Sequence, residues 1–190
     1  MTGLTIRFAT PADAEQLVAI YAPYVLKTAI TYEYAVPSAA EFAERISAYS
    51  EKYPYLVAEM NGSPVGYAYA RPLGSRPAFD WAVETAIYIR EDCKGRGVGK
   101  TLYEKLEAIL KVMGIRTVTA AVASVSHDDP YLTDASIRFH LAMGYIPVGT
   151  FHNAGCKFGR WYDLTWLEKA IGAYESDPPH PQTVREVMEE

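Results

Sequence analysis

The chain is short of cysteine, of positive charge and of long apolar runs, and each shortage excludes something. Two cysteines in 190 residues, Cys93 and Cys156, make one disulfide at most. That is too few for a stapled secreted scaffold or a cysteine metal cluster, so two reduced thiols are expected. Lys and Arg number 18 against 23 Asp and Glu, a net charge of −5 with a pI near 5.4. No basic footprint for DNA or RNA is present, and no nucleic acid partner is expected. The apolar stretches are of strand length, well below the roughly 20 residues of a bilayer crossing, and the first residues lack the charged-then-apolar layout of a signal peptide. The expectation is a cytoplasmic protein with no membrane partner.

What is there is a core: 49% of the residues are hydrophobic and 22% charged, the composition of a chain that folds alone as one domain. Residues 1–168 are expected to form that domain and residues 169–190, with Asp177-Pro178-Pro179-His180-Pro181 and no hydrophobic period, a surface-wrapping or mobile tail. Met1, Thr2 and Glu190, which fall in these ranges, lie outside the residues described below.

Residues 4–9 alternate as a strand and meet Thr10-Pro11, a cap followed by the proline of a helix start. Leu17, Ile20, Tyr21, Tyr24 and Val25 then recur at helical spacing, with Pro23 as a candidate kink, and Ser38 opens a second helix carrying Phe42, Ile46 and Tyr49. Residues 55–60 and 65–71 flank Asn61-Gly62, a strong hairpin signal. After a loop punctuated by proline and glycine, residues 81–89 read as a long strand. Val98, Leu102, Leu106, Ile109 and Met113 make the apolar stripe of a helix ended by Gly114. A buried strand at 117–123, a short helix at 134–143 and two strands at 146–151 and 160–166 complete the order, which predicts an α/β three-layer arrangement on a mixed sheet.

Gly95, Gly97 and Gly99 stand between a strand and a helix, where backbone N–H groups and the helix dipole would attract an anion. Turn formation alone also accounts for them. The dinucleotide pattern fails, because its last glycine falls on Lys100 or Leu102. Gly99-Lys100-Thr101 has the ending of a P-loop, but its first glycine falls on Lys94 and no acidic strand end stands out for magnesium.

The run Lys94-Gly95-Arg96-Gly97-Val98-Gly99 resembles the pyrophosphate loop of GNAT acyl-CoA N-acyltransferases: Gln or Arg, two variable residues, Gly, one variable residue, then Gly or Ala. Lys94 departs from the first position while keeping its charge. Over nearly its whole length the chain resembles the phosphinothricin N-acetyltransferase branch. The markers are Thr28-Ala29-Ile30-Thr31-Tyr32-Glu33, Val83-Glu84-Thr85-Ala86-Ile87-Tyr88-Ile89, Ser136-Ile137-Arg138-Phe139-His140 and Lys157-Phe158-Gly159-Arg160-Trp161. The resemblance implies a GNAT-like three-layer α/β/α fold with a central mixed, mostly antiparallel sheet. It also implies acetyl-CoA as cosubstrate, a small amino-acid-like amine such as phosphinothricin or methionine sulfoximine as acceptor, and a homodimer.

Acetyl transfer to an amine needs a base, an oxyanion donor and an acid. A carboxylate in an apolar strand is costly to bury, and burial would raise its pKa toward a useful value, which makes Glu84 a candidate base. Strand alternation also permits an ordinary outward carboxylate there. The resemblance decides for a general base, with Ile87, Tyr88 and Ile89 pairing the pantetheine arm and His140 as the acid that protonates the departing sulfur. It implies cofactor contacts from Lys94, Gly95, Arg96, Gly97, Val98, Gly99, Lys100 and Ser136, with Thr133 standing where the family commonly has an asparagine. Arg71, Arg76 and Lys157 are candidates to hold an acceptor oxyanion, with Tyr32, Glu33, Phe79 and Trp161 shaping the pocket and Glu33 attracting the ammonium group. An α-amino group, with a pKa of about 7.7 to 8.0, loses its proton more readily than a lysine near about 10.4, which favours a free amino acid as acceptor. His127-Asp128-Asp129 cannot surround one ion, so no metal is expected. The rival readings are a non-catalytic acyl-CoA binding module and a P-loop phosphotransferase.

Overall fold

A computed structural model describes residues 3–189. Strand β1 (Leu4–Phe8) leads through a turn at Pro11–Asp13 into α1 (Ala14–Lys27), which continues through Pro23, and α2 (Ala39–Ser50). The Asp13 carboxylate ties this entry together. It accepts from the Thr10 backbone at 2.7 Å and from both terminal nitrogens of Arg7 at 2.6 and 2.9 Å. The Arg7 guanidinium holds the Asp13 carboxyl below the usual aspartate range. Ser38 opens α2 with a capping box, accepting from Glu41 N–H while the Glu41 carboxylate accepts from Ser38 N–H.

Strands β2 (Tyr55–Met60) and β3 (Ser63–Pro72) form the expected hairpin, with Asn61 and Gly62 both at positive φ. β4 (Ala82–Ile89), α3 (Val98–Val112), β5 (Thr117–Ser124) and α4 (Ala135–Ala142) follow, then the long pair β6 (Ile146–Lys157) and β7 (Arg160–Ala170) and a short α5 (Val184–Glu189). The sheet order is β1-β2-β3-β4-β5-β7-β6, antiparallel at every junction except β4 with β5. α3 is the crossover that a parallel junction requires. One sheet face buries Leu56, Ala68 and Val83 against Leu102 and Leu106 of α3. The other buries Val57 and Tyr67 against Leu17 and Ile46 of α1 and α2.

The last two strands run past their expected ends at 151 and 166. β6 passes two register irregularities, with Asn153 at positive φ, so its period breaks where its pairing does not. The tail is tied down: Trp81 Nε1 donates to the Pro179 carbonyl at 3.0 Å, Gln182 N–H to Met113 and Val184 N–H to Lys52. No helix among the described residues is long and apolar enough to cross a membrane.

Candidate active site

β4 and β5 pair over only three rungs, Ala82 with Thr117, Val83 with Val118 and Glu84 with Thr119. Beyond Glu84 they diverge, while β3 keeps β4 and β7 keeps β5. Two hydroxyls pin the fork: Thr119 donates to the Val83 carbonyl at 3.2 Å and Thr85 to the Thr119 carbonyl at 2.9 Å. The divergence opens a cleft of about 350 Å³ lined by Glu84 to Tyr88 on one side and Ala120 to Ala123 on the other.

Glu84 stands on the cleft wall opposite Arg71 of β3, whose Nη2 donates to Glu84 Oε1 at 2.6 Å. Thus the carboxylate is an ion-pair partner, and the guanidinium is not a free cation. The backbone of β4 is also specified. Arg90 N–H bonds the Val65 carbonyl, so by antiparallel alternation Tyr88 and Ala86 turn their backbone groups to β3, while Ile87 and Ile89 turn theirs to the open side. The Tyr24 hydroxyl bonds both the carbonyl and the N–H of Ile89. Of the three residues expected to pair with pantetheine, Ile87 alone is left with backbone groups free for it among the described residues. The Tyr88 side chain lines the cleft and not the channel.

His140 is buried on α4 with both ring nitrogens engaged, Nδ1 with the Ser136 carbonyl at 2.8 Å and Nε2 with the Tyr103 hydroxyl at 3.0 Å. A carbonyl only accepts, so Nδ1 carries the proton and Nε2 accepts from Tyr103. Burial also pushes the His140 pKa below its ordinary value. In this arrangement Nε2 accepts and does not donate, so the ring is not set up to protonate sulfur itself in the way the sequence led us to expect. Tyr103, which lines the cleft beside it, was missed because it flanks the Leu102 and Leu106 stripe of α3, where an aromatic reads as packing. A hydroxyl beside an aliphatic stripe was the available signal.

A second channel of about 400 Å³ joins the cleft at Ile30, Ile87 and Ser136 and runs to the glycine turn. Gly95 and Gly97 both take positive φ, and Gly97 caps α3, whose first N–H groups have no intrahelical acceptor. At Gly99 a Cβ would approach the Phe139 ring to 3.2 Å, so a side chain there would crowd the channel. The cradle and the channel fit a pyrophosphate and its pantetheine arm. Lys94, Gly95, Gly97, Val98, Gly99, Lys100, Thr133 and Ser136 all line the channel. Lys94 Nζ lies over the Tyr24 ring at 4.6 Å, and Thr133 Oγ1 accepts from Ala135 N–H at the start of α4. Exposed Arg96 is not part of the lining.

The expected acceptor residues divide. Tyr32, Glu33 and Arg71 line the cleft. Arg76 is exposed in the loop after β3, and Phe79 covers Gly74 in the same loop. Trp161 is exposed at the tip of the β6–β7 hairpin. Lys157 is buried behind the cleft, where its Nζ donates to the Thr31 carbonyl at 2.7 Å and burial pushes its pKa down. These four are not gathered at the cleft, and the first and last do not supply it with a cation. Among the described residues, no three His, Cys, Asp or Glu side chains come together as metal ligands.

The sequence family described as an acetyltransferase (GNAT) domain matches residues 6–166. The chain belongs to the GNAT acetyltransferase family. It is 32% identical over 184 residues to the phosphinothricin N-acetyltransferase of Streptomyces viridochromogenes, covering 97% of this chain and 94% of that protein. It is 31% identical over 169 residues to the L-methionine sulfoximine/L-methionine sulfone acetyltransferase of Salmonella typhimurium, covering 87% and 93%. The crystal structure of a GNAT superfamily phosphinothricin acetyltransferase from Sinorhizobium meliloti in complex with AcCoA matches with a TM-score of 0.85 at 33% identity, covering 95% of this chain and 96% of that one. The three-layer GNAT fold with its mixed, mostly antiparallel sheet is as the sequence led us to expect.

The His140 environment generates a prediction. Nitrogen-detected NMR should find this GNAT domain's His140 as the neutral Nδ1–H tautomer at pH 7, titrating below about 6.5, the value of free histidine. A midpoint at or above that value, or a proton on Nε2, contradicts the hydrogen-bond assignment.

Proposed function

We propose that this GNAT acetyltransferase moves the acetyl group of acetyl-CoA directly onto the α-amino group of a small amino-acid-like acceptor. The observation that carries the reading is the Glu84–Arg71 pair on the wall of the fork, at the inner end of the channel that leads from the glycine turn. Among the described residues only Arg71 bonds Glu84, at Oε1, so Oε2 has no protein partner and is available to take the amine proton, directly or through water. The remaining N–H groups of Arg71 suit the acceptor carboxylate. An amino acid presents ammonium and carboxylate side by side, as this wall presents carboxylate and guanidinium.

Acetyl-CoA supplies the activated acyl group; the chain's own residues orient and polarise it. Ile87 N–H is placed to donate to the thioester oxygen. The Tyr103 hydroxyl lines the cleft, and its one O–H, donated to His140 Nε2 in the free protein, would turn from the ring to the departing sulfur. A thiol near about 8.5 is more acidic than a phenol near about 10, and burial pushes Tyr103 higher still. The proton accordingly stays on oxygen and Tyr103 acts as a donor to the thiolate.

We further place the protein in the cytoplasm as a homodimer built on β6. Free Cys93 and Cys156 support the first. For the second, nine consecutive β6 residues from Ile146 are exposed at the sheet edge, Phe151 at 65% among them. No Asp, Glu, Lys or Arg occurs between Arg138 and Lys157. Edge strands that must stay single are usually charged.

Thiol release from acetyl-CoA should occur with a small amino acid acceptor and not with a lysine peptide, and Glu84→Gln should lower kcat by about 100-fold or more with KM for acetyl-CoA little changed. Tight acetyl-CoA binding without turnover on any amine rejects the reading in favour of a binding module. Sedimentation should give a dimer at micromolar concentration that Phe151→Lys dissociates; a monomer of the unaltered chain removes the dimer.

A further inference from the structure

A file of hydroxyls reaches Tyr103 from a residue outside the cleft lining. Thr85 Oγ1 lies 3.2 Å from the Tyr103 hydroxyl and 3.3 Å from that of Tyr145. Tyr145 follows α4, and its N–H bonds the His140 carbonyl at 3.0 Å, so one turn fixes both the imidazole and the second phenol of the file. Tyr103, Tyr145, His140 and Thr85 are all buried, none more than 4% exposed, so each O–H has to find its acceptor within this group.

The protons can be counted. The Thr85 O–H is committed to the Thr119 carbonyl at 2.9 Å and the Tyr103 O–H to His140 Nε2 at 3.0 Å. The Thr85–Tyr103 contact therefore holds no proton, and the Tyr145 O–H is the one that fills Thr85 Oγ1. Burial pushes both phenols above their ordinary range, so they act as neutral donors. Beyond Tyr145 stands Glu107, whose Oε2 accepts from Lys169 Nζ at 2.6 Å and whose buried Oε1 has no hydrogen-bond partner among the described residues. Two facing oxygens with no proton between them leave the file poised: a new acceptor at Tyr103 is answered by turning O–H bonds alone.

In acetyl transfer the N–C bond forms as the C–S bond breaks, the amine proton goes to Glu84, and the electron pair of the broken bond stays on sulfur. We propose that Thr85 and Tyr145 are positioning residues for the departing thiolate: as the Tyr103 O–H turns to sulfur, the Thr85 O–H turns from the Thr119 carbonyl to the Tyr103 oxygen, and the Tyr145 O–H closes onto Thr85. The acceptors released, His140 Nε2 and the Thr119 carbonyl, are uncharged, and the acceptor gained is an anion, which makes the stronger hydrogen bond. A hydroxyl that itself accepts a bond is a better donor, so the file strengthens the hold of Tyr103 on sulfur without taking its proton. The inference rests on the acetyl-transfer reading above and deepens it with two residues that act through Tyr103.

The test reads the bound thiol. Affinities for CoA and for desulfo-CoA, which lacks the sulfur, are compared from about pH 7 to about pH 9.5, across the thiol's ordinary value of about 8.5. The titratable groups that face Tyr103 are His140, Tyr145 and Glu107, with Glu84 and Tyr69 across the cleft. They act on both ligands, so the affinity ratio isolates the sulfur. For the unaltered enzyme the preference for CoA should rise about tenfold over this range, because a site that favours the thiolate lowers its pKa and binds it more tightly as it ionises. Tyr145→Phe, which leaves the Thr85–Thr119 bond in place, and Thr85→Val should each cut that rise about threefold, and Thr85→Ser should keep it. In the first two variants kcat on a small amino acid should fall by a similar factor with KM for acetyl-CoA little changed. If circular dichroism shows that Thr85→Val misfolds, Tyr145→Phe decides alone. No rise in the unaltered enzyme, or a rise that the variants leave untouched, overturns the file while leaving acetyl transfer standing. No turnover on any amine overturns both.

Discussion

The site depends on the early end of pairing between β4 and β5. A parallel junction that continued past Glu84 would fill the fork with a hydrogen-bond ladder and leave no backbone for a substrate to meet. The Thr85 and Thr119 hydroxyls cross the fork at its root and satisfy the carbonyls there, so the divergence begins at a fixed place. Two groups assigned a role lie within a few residues of that place, Glu84 one residue before Thr85 and Ile87 two after, and the Tyr103 hydroxyl lies 3.2 Å from that of Thr85.

A second constraint is that the charges in the cleft come in pairs. Arg71 orients Glu84, and Arg45 does the same for Glu33. In each pair the buried or half-buried carboxylate has its cation on an adjacent element, β3 for Glu84 and α2 for Glu33, so the acceptor meets a neutral wall with charge separated along it.

Much of this was legible in the sequence. Asn61-Gly62 fixed the hairpin because both residues tolerate positive φ, and the glycine turn followed by the Val98, Leu102, Leu106 stripe located α3. Glu84 stood out as a carboxylate in an apolar strand. Its pairing with Arg71, which was singled out only as an acceptor contact, did not, because the loop between them hides the register that sets the two side by side. Tyr103 was hidden by its place on a packed helix. Lys157 misled for the opposite reason: a cation in a family motif suggests a ligand contact, whereas here it is buried under the Thr31 carbonyl and supports the loop that carries Glu33.

The central claim is that the fork presents one β4 residue, Ile87, to the cosubstrate. Residue-resolved amide hydrogen exchange with and without acetyl-CoA tests it most directly. The account predicts that Ala86 and Tyr88, paired with β3, are slow in both states, while Ile87 is fast in the free enzyme and slows by about tenfold or more on binding. An Ile87 amide that is already slow in the free enzyme, or that acetyl-CoA leaves unchanged while it binds, would contradict the account.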